Sequence, residues 1–203
     1  MMRVAVLASG SGSNFQALVD ALNVPGSPAR VELLLCNVPG ATCLERAQKA
    51  GVESQVIDHT LFDNREAFDL RVAQTLTAAK IELVALAGYM RLVTPAFLRA
   101  FPGRVINLHP ALLPAFPGMH AIRQAIDAGV RVTGITVHFV DEGTDTGPII
   151  AQQAVPVLPG DTEATLAARV HAEEHALYPR VVKAIANGVV QLDGRRVTMK
   201  EEL

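Results

Sequence analysis

The stretch Arg3-Val4-Ala5-Val6-Leu7-Ala8-Ser9-Gly10-Ser11-Gly12-Ser13-Asn14-Phe15-Gln16-Ala17-Leu18-Val19-Asp20-Ala21-Leu22 decides the fold class. Residues 3–8 form a short apolar run of strand length. From Asn14 to Leu22 the apolar residues Phe15, Leu18, Val19 and Leu22 recur at helical spacing and share one face. Two glycines and three serines separate the two periods. A strand, a glycine turn and a helix in that order open a βαβ unit, so the prediction is a parallel sheet rather than a meander.

The pattern repeats outward from there. Strands are predicted at Val31 to Cys36, Val52 to Ile57, Ile81 to Ala87 and Arg104 to Leu108. Helices are predicted at Ala41 to Ala50, stopped by Gly51, at Arg65 to Ala79, and at Pro95 to Ala100 with Thr94 as its cap. Pro110, Pro114 and Pro117 then make Pro110 to Gly118 a stiff loop. A helix from about His120 to Ala128 follows. Gly134 to Val140 and Ile149 to Val157 read as a strand pair closing one edge of the sheet. Asp161 or Thr162 caps a long helix towards Ala186, and Asp193-Gly194 turns a terminal hairpin. The expected fold is α/β: a single-domain, Rossmann-like open twisted sheet, mostly parallel with an antiparallel edge, helices on both faces. In such a sheet ligands bind outside the carboxyl ends of the strands.

The chain has 203 residues, half of them apolar, and a formal net charge of -2, which suits one domain with a full core. Lys and Arg are scattered, leaving no electrostatic footprint for nucleic acid or an anionic membrane. No apolar run reaches the ~20 residues of a transmembrane helix, and the N-terminus lacks a signal-peptide layout. Cys36 and Cys43 are too few for a disulfide framework or a zinc site and read as reduced, buried thiols. The expectation is a cytoplasmic protein.

In the loop Ser9 to Asn14, glycines allow backbone N–H groups to approach an anion, and the helix start adds its positive dipole end. A dinucleotide fingerprint needs a small residue where Phe15 stands and an acid where Asn37 stands, and no P-loop lysine follows. A single phosphate is the better ligand. Two further clusters stand out: Val105-Ile106-Asn107-Leu108-His109-Pro110, and Val137-His138-Phe139-Val140-Asp141-Glu142-Gly143-Thr144-Asp145-Thr146-Gly147-Pro148. An Asn, a His and an Asp on loops after strands can together stabilise an oxyanion and move a proton; singly, each is better explained as a cap or a surface turn. Whether Thr136 and His138 face such a site or the core is open at this point. His171-Ala172-Glu173-Glu174-His175 matches the H-x-x-E-H zinc pattern. With no third ligand nearby, the expectation is no metal and a surface-facing helix carrying one functional Glu.

With these residues assembled, the chain resembles the folate-dependent formyltransferases, on their phosphoribosylglycinamide branch. The likeness runs from Val6-Leu7-Ala8-Ser9-Gly10-Ser11-Gly12-Ser13-Asn14 to Glu174-His175-Ala176-Leu177-Tyr178-Pro179, and it is most specific in Asn107-Leu108-His109-Pro110-Ala111-Leu112-Leu113-Pro114 with Asp145-Thr146-Gly147-Pro148. It implies one formyltransferase domain over 1–203, with a phosphate-binding part at about 1–100 and a catalytic and folate-binding part at about 101–203. It further implies formyl transfer from 10-formyltetrahydrofolate, as co-substrate, to glycinamide ribonucleotide in purine synthesis, by a monomer or homodimer whose partners are those small molecules. Asn107, His109 and Asp145 would be catalytic. Gly12, Ser13 and Asn14 would hold the phosphate, and Glu174 the ribose and glycinamide. Met90, Arg91, Leu92 and Val93, the loop residues Asp141, Glu142, Gly143, Thr144 and Asp145, and Asn107 would bind the folate, with Arg65 near its glutamate tail. An ordinary histidine titrates near ~6.5, so a carboxylate such as Asp145 would keep the imidazole beside it charged. Ala111 departs from the family, where a Ser is frequent.

Three rivals remain. A formyltetrahydrofolate hydrolase would share the three catalytic residues but usually carries an extra N-terminal domain. A methionyl-tRNA formyltransferase needs a C-terminal tRNA-binding domain and a basic face. A non-catalytic phosphometabolite- or folate-binding module would have no need of the proton-handling group.

Overall fold

The computed structural model describes residues 1–200; residues 201–203, which the expected span 1–203 includes, lie outside the described residues. The chain divides into two compact units, Met1–Asn107 and Leu108–Leu203, with the division falling inside a strand.

The first unit contains β1 (Met2–Ala8), β2 (Ala29–Cys36), β3 (Glu53–Val56), β4 (Leu83–Leu86) and β5 (Val105–His109), the last ending in the second unit. Their order is β3-β2-β1-β4-β5, and every pairing is parallel. Val4 to Ala8 and Leu83 to Ala85 are wholly buried, as expected of strands covered on both faces. Around them pack α1 (Ser13–Leu22), α2 (Thr42–Ala50), α3 (Arg65–Ala78) and α4 (Pro95–Ala100). The caps explain their starts: the Asn64 side chain accepts from Ala67 N at 2.8 Å, and Thr94 caps α4 ahead of Pro95. Gly51, at φ 64°, ends α2 in the left-handed conformation. β3 is shorter than its sequence pattern predicts and mostly exposed, as an edge strand can be. A single 3-10 turn at His59–Leu61 follows it, an element absent from the sequence-based expectation.

The chain passes from β1 to β2 and β3 on one side, then returns to β4 on the other side of β1. This reversal opens a crevice at the carboxyl ends of β1 and β4. The residues after the two strands are tied together: Ser9 N donates to the Gly88 carbonyl at 3.1 Å, and Met90 N donates to Ser9 Oγ at 2.9 Å.

In the second unit the end of β5 is followed by α5 (Ala121–Asp127), β6 (Val132–Phe139), β7 (Ile149–Pro156) and α6 (Glu163–Ala186), then a hairpin of β8 (Val190–Asp193) and β9 (Arg196–Met199). β6 lies next to β5, and β7 forms the antiparallel edge. Thr162 caps α6, its hydroxyl accepting from Thr165 N at 3.2 Å. No helix among the described residues is long and apolar enough to cross a membrane.

Thr136 is fully buried on β6. Its hydroxyl donates to the Ala111 carbonyl at 2.7 Å and accepts from Leu113 N at 3.0 Å and Gln152 Nε2 at 3.0 Å. It therefore fixes the proline loop, and the question the sequence left open is answered: Thr136 serves the scaffold. Thr136→Val keeps the shape but strands buried backbone groups, and is expected to cost about 2–4 kcal/mol. Urea denaturation against wild type checks this.

Candidate active site

In the first unit, Gly12 caps α1 at φ 71°, a conformation that favours glycine. Among the described residues no side chain caps this helix start. The loop is held from behind: Cys43 N donates to the Gly10 carbonyl at 3.0 Å, and Arg46 Nε donates to the Ser11 carbonyl at 2.8 Å. Ser13 and Asn14 form the first turn of α1. Asn37, at the position where a dinucleotide site carries an acid, accepts from Ser9 Oγ through Oδ1 at 2.6 Å and lies 3.2 Å from His59 Nδ1 through its amide nitrogen. Both cysteines are free and buried.

After β4, Met90 and Leu92 are exposed, while the Arg91 guanidinium sits 4.8 Å from the Phe68 ring centroid. Arg65 is exposed at the first turn of α3, and Val93 is half-buried. Asp69, buried beneath them, accepts from Thr94 N at 2.6 Å. Burial pushes its carboxyl above the usual range, against the opposing pull of Thr94 and of the Arg91 and Arg65 charges. Asn107 is half-buried near the end of β5, and alternation along a strand places it on the same strand face as His109, two residues on.

In the second unit the polar residues converge on Asp145. Its Oδ2 lies 3.3 Å from His109 Nδ1 and accepts from Gly118 N at 2.8 Å; its Oδ1 lies 3.6 Å from His138 Nε2. Each imidazole is also anchored at its other nitrogen. His109 Nε2 donates to the Phe116 carbonyl at 2.8 Å, and His138 Nδ1 donates to the Phe139 carbonyl at 2.8 Å. A carbonyl can only accept, so in each ring the nitrogen facing Asp145 carries a proton only when the ring is the imidazolium. The arrangement thus sets one carboxylate against two rings.

Burial pushes the Asp145 carboxyl up, but the His138 hydrogen bond, the Gly118 N–H and the two histidine charges outweigh it, and the net shift is downward. A carboxyl lowered on folding stabilises the fold above its ordinary titration range, near pH ~3.9, and loses that contribution as pH falls through the folded-state value. Asp145→Asn should therefore flatten the acid limb of the stability curve, checked by urea midpoints at pH about 6 and about 3.5.

The loop carrying Asp145 is tightly built. Asp145 itself sits at φ 54°, which a short polar side chain tolerates better than most. A Cβ on Gly147 would run into the Phe139 carbonyl, and one on Gly143 into Thr146 Oγ1. Asp141 Oδ1 accepts from Thr146 Oγ1 at 2.6 Å and from Gly143 N at 3.1 Å. Glu142 and Thr144 are exposed at the tip.

Glu174 corrects one expectation. It is buried at 4% exposure, on the same helix face as Val170, Leu177, Tyr178 and Val181, so this stretch of α6 does not simply face solvent. The spacing of four from Val170 to Glu174 and from Glu174 to Tyr178 was the available signal. His171 Nδ1 lies 2.9 Å from Glu174 Oε2. That hydrogen bond, ahead of the opposing burial, raises the His171 pKa. The His171 and His175 rings stack with centroids 6.5 Å apart. Among the described residues no group of three or more His, Cys, Asp or Glu is set to hold a metal ion. His138, left undecided by the sequence, faces Asp145.

The first unit thus carries a glycine loop at the start of α1, and the second a carboxylate–imidazole cluster around Asp145 suited to proton handling. The pattern of the formyl transferase family matches residues 2–182, and the chain belongs to that family. A phosphoribosylglycinamide formyltransferase of Bacillus subtilis (strain 168) is 47% identical over 185 residues, covering 91% of this chain and 95% of that protein. The trifunctional purine biosynthetic protein adenosine-3 of Drosophila pseudoobscura pseudoobscura is 49% identical over 191 residues, covering 93% of this chain; the chain spans only 14% of that longer protein. A crystal structure of glycinamide ribonucleotide transformylase 1 from Symbiobacterium toebii superposes with a TM-score of 0.97 at 49% identity, covering 99% of this chain and 95% of that one. The expected α/β architecture, mostly parallel with an antiparallel edge, is the one observed.

Proposed function

We propose that the chain transfers the formyl group of 10-formyltetrahydrofolate to the amine of 5-phosphoribosylglycinamide, a step of purine biosynthesis. The observation that carries this reading is Asp145 held between His109 and His138 at 3.3 and 3.6 Å, in a chain of the formyl transferase family.

The neutral amine attacks the formyl carbon, a C–N bond forms, and the carbonyl oxygen becomes an oxyanion. The Asn107 amide donates to that oxygen, and the His109 imidazolium supplies positive charge. Asp145 stabilises that imidazolium and, through a water, relays the proton lost by the amine to the folate nitrogen as the C–N bond to folate breaks. The helix start at Gly12, Ser13 and Asn14 takes the phosphate, and Glu174 holds the ribose and glycinamide. Met90, Arg91, Leu92 and Val93 offer a half-apolar surface for the folate, joined by Asp141, Glu142, Gly143 and Thr144 around the pterin. Arg65 suits a tail carboxylate. The chain works as one formyltransferase domain with small-molecule partners only, in the cytoplasm, as a monomer or homodimer. It needs no metal.

The test is loss of the formyl group from 10-formyltetrahydrofolate, followed by absorbance with and without glycinamide ribonucleotide. Turnover that requires the amine is expected. Equal turnover in its absence identifies a hydrolase and overturns the proposal.

A further inference from the structure

The terminal hairpin lies beyond residue 182, where the match to the family ends, yet its turn reaches the loop that carries Asp145. Arg195, in the turn between β8 and β9, places Nη1 3.2 Å from Asp141 Oδ2 and donates through Nη2 to the Thr146 carbonyl. One guanidinium fork thus grips both ends of the segment 141–146. Inside that segment Asp141 already holds Thr146 Oγ1 and Gly143 N, so Arg195 adds an outer clasp to an inner one. The hairpin's own pairing, from Val190–Met199 to Asp193–Arg196, does not include this contact.

The geometry points to Arg195 as a positioning residue for formyl transfer, locking the loop that presents Asp145 in its binding-competent conformation. The inference rests on the role proposed for Asp145 and for the loop. Asp145 sits in the left-handed region at φ 54°, a conformation a chain leaves readily unless its surroundings hold it. The clasp supplies that hold from the hairpin turn. Because the Arg195 side chain is 73% exposed, solvent screens the ion pair, and the effect is modest. Its loss lowers the fraction of free protein with a competent loop, which raises apparent dissociation constants by the same factor. Bound folate then restores the loop, so the rate of the bound complex is spared.

The test combines loop hydrogen exchange with kinetics on full-length Arg195→Ala and Arg195→Lys. In Arg195→Ala, amides of residues 142–146 are expected to exchange faster, while KM for 10-formyltetrahydrofolate rises roughly three- to tenfold and kcat stays within about twofold. Arg195→Lys, which keeps the charge without the fork, should fall between. Unchanged thermal stability and unchanged hairpin amides separate this from simple loss of the hairpin. Unchanged loop exchange in Arg195→Ala overturns the inference, and so does faster exchange with an unaltered KM. If the wild-type protein transfers no formyl group, the proposed function fails, and the exchange result alone then decides whether the clasp exists.

Discussion

Asp145→Asn is expected to lower kcat by roughly 10²–10⁴-fold, the range that a positioned acid–base group supplies, while leaving the fold intact. The substitution isolates charge from shape. Asn tolerates the φ of 54° seen at this position and can still accept from Gly118 N, now at 2.8 Å from Asp145 Oδ2. What disappears is the carboxylate between two imidazoles. Both rings donate their other N–H to backbone carbonyls, so the ring nitrogens that face Asp145 lose their carboxylate partner. The pH dependence of kcat should therefore change along with its size. Steady-state rates across about pH 5 to 9 check this, bracketing the ordinary histidine range near ~6.5. Wild-type rates at every pH contradict the assignment. Removing His109 alone should be milder than removing the whole cluster, because Asn107 and substrate proximity still act.

Gly12→Ala is the second large effect. At φ 71° a Cβ is strained, and here it would also lie 2.5 Å from Cys43 Cβ and 2.9 Å from Cys43 Cα. Cys43 cannot retreat easily, because its N–H is tied to the Gly10 carbonyl at 3.0 Å. Relief requires the loop to lift from α2, which turns the α1 N-terminus away from its anion-binding geometry. Together the backbone strain and the overpacking should cost roughly 2–4 kcal/mol. KM for glycinamide ribonucleotide should rise on the order of tenfold or more, with KM for the folate less affected. Equal changes in both constants would instead mark general damage. Differential scanning calorimetry together with the two KM values separates these outcomes.

Much of this fold is written in local periodicity. The β1–loop–α1 stretch announces itself because its period switches from two to 3.6 across a glycine turn, and caps such as Thr94 before Pro95 are local chemistry. β3 is less legible, since only part of its apolar pattern pairs, and the 3-10 turn at His59–Leu61 carries no period of its own. The site is half legible. Asn107 and His109 stand out as residue types at the end of a strand, and Asp145 as an acid in a glycine-rich loop. His138 does not, because β6 is buried at every residue after Val132, and alternation then cannot say which face a side chain serves. The register also shifts between Val137 and His138, which re-aims the ring in a way no spacing rule captures. Glu174 lies on the buried face of α6 rather than on a solvent-facing one, as the four-residue spacing from Val170 and to Tyr178 indicates. Arg195 lies 54 residues from Asp141, and only the folded chain brings them together.

The most direct measurement follows the fate of a ¹³C label in the formyl group of 10-formyltetrahydrofolate, read by NMR in the presence of glycinamide ribonucleotide. The account predicts that the label appears in the amide of the formylated ribonucleotide at the rate the folate is consumed, and that Asp145→Asn slows both together. Label released as formate, with the ribonucleotide amine untouched, would contradict it.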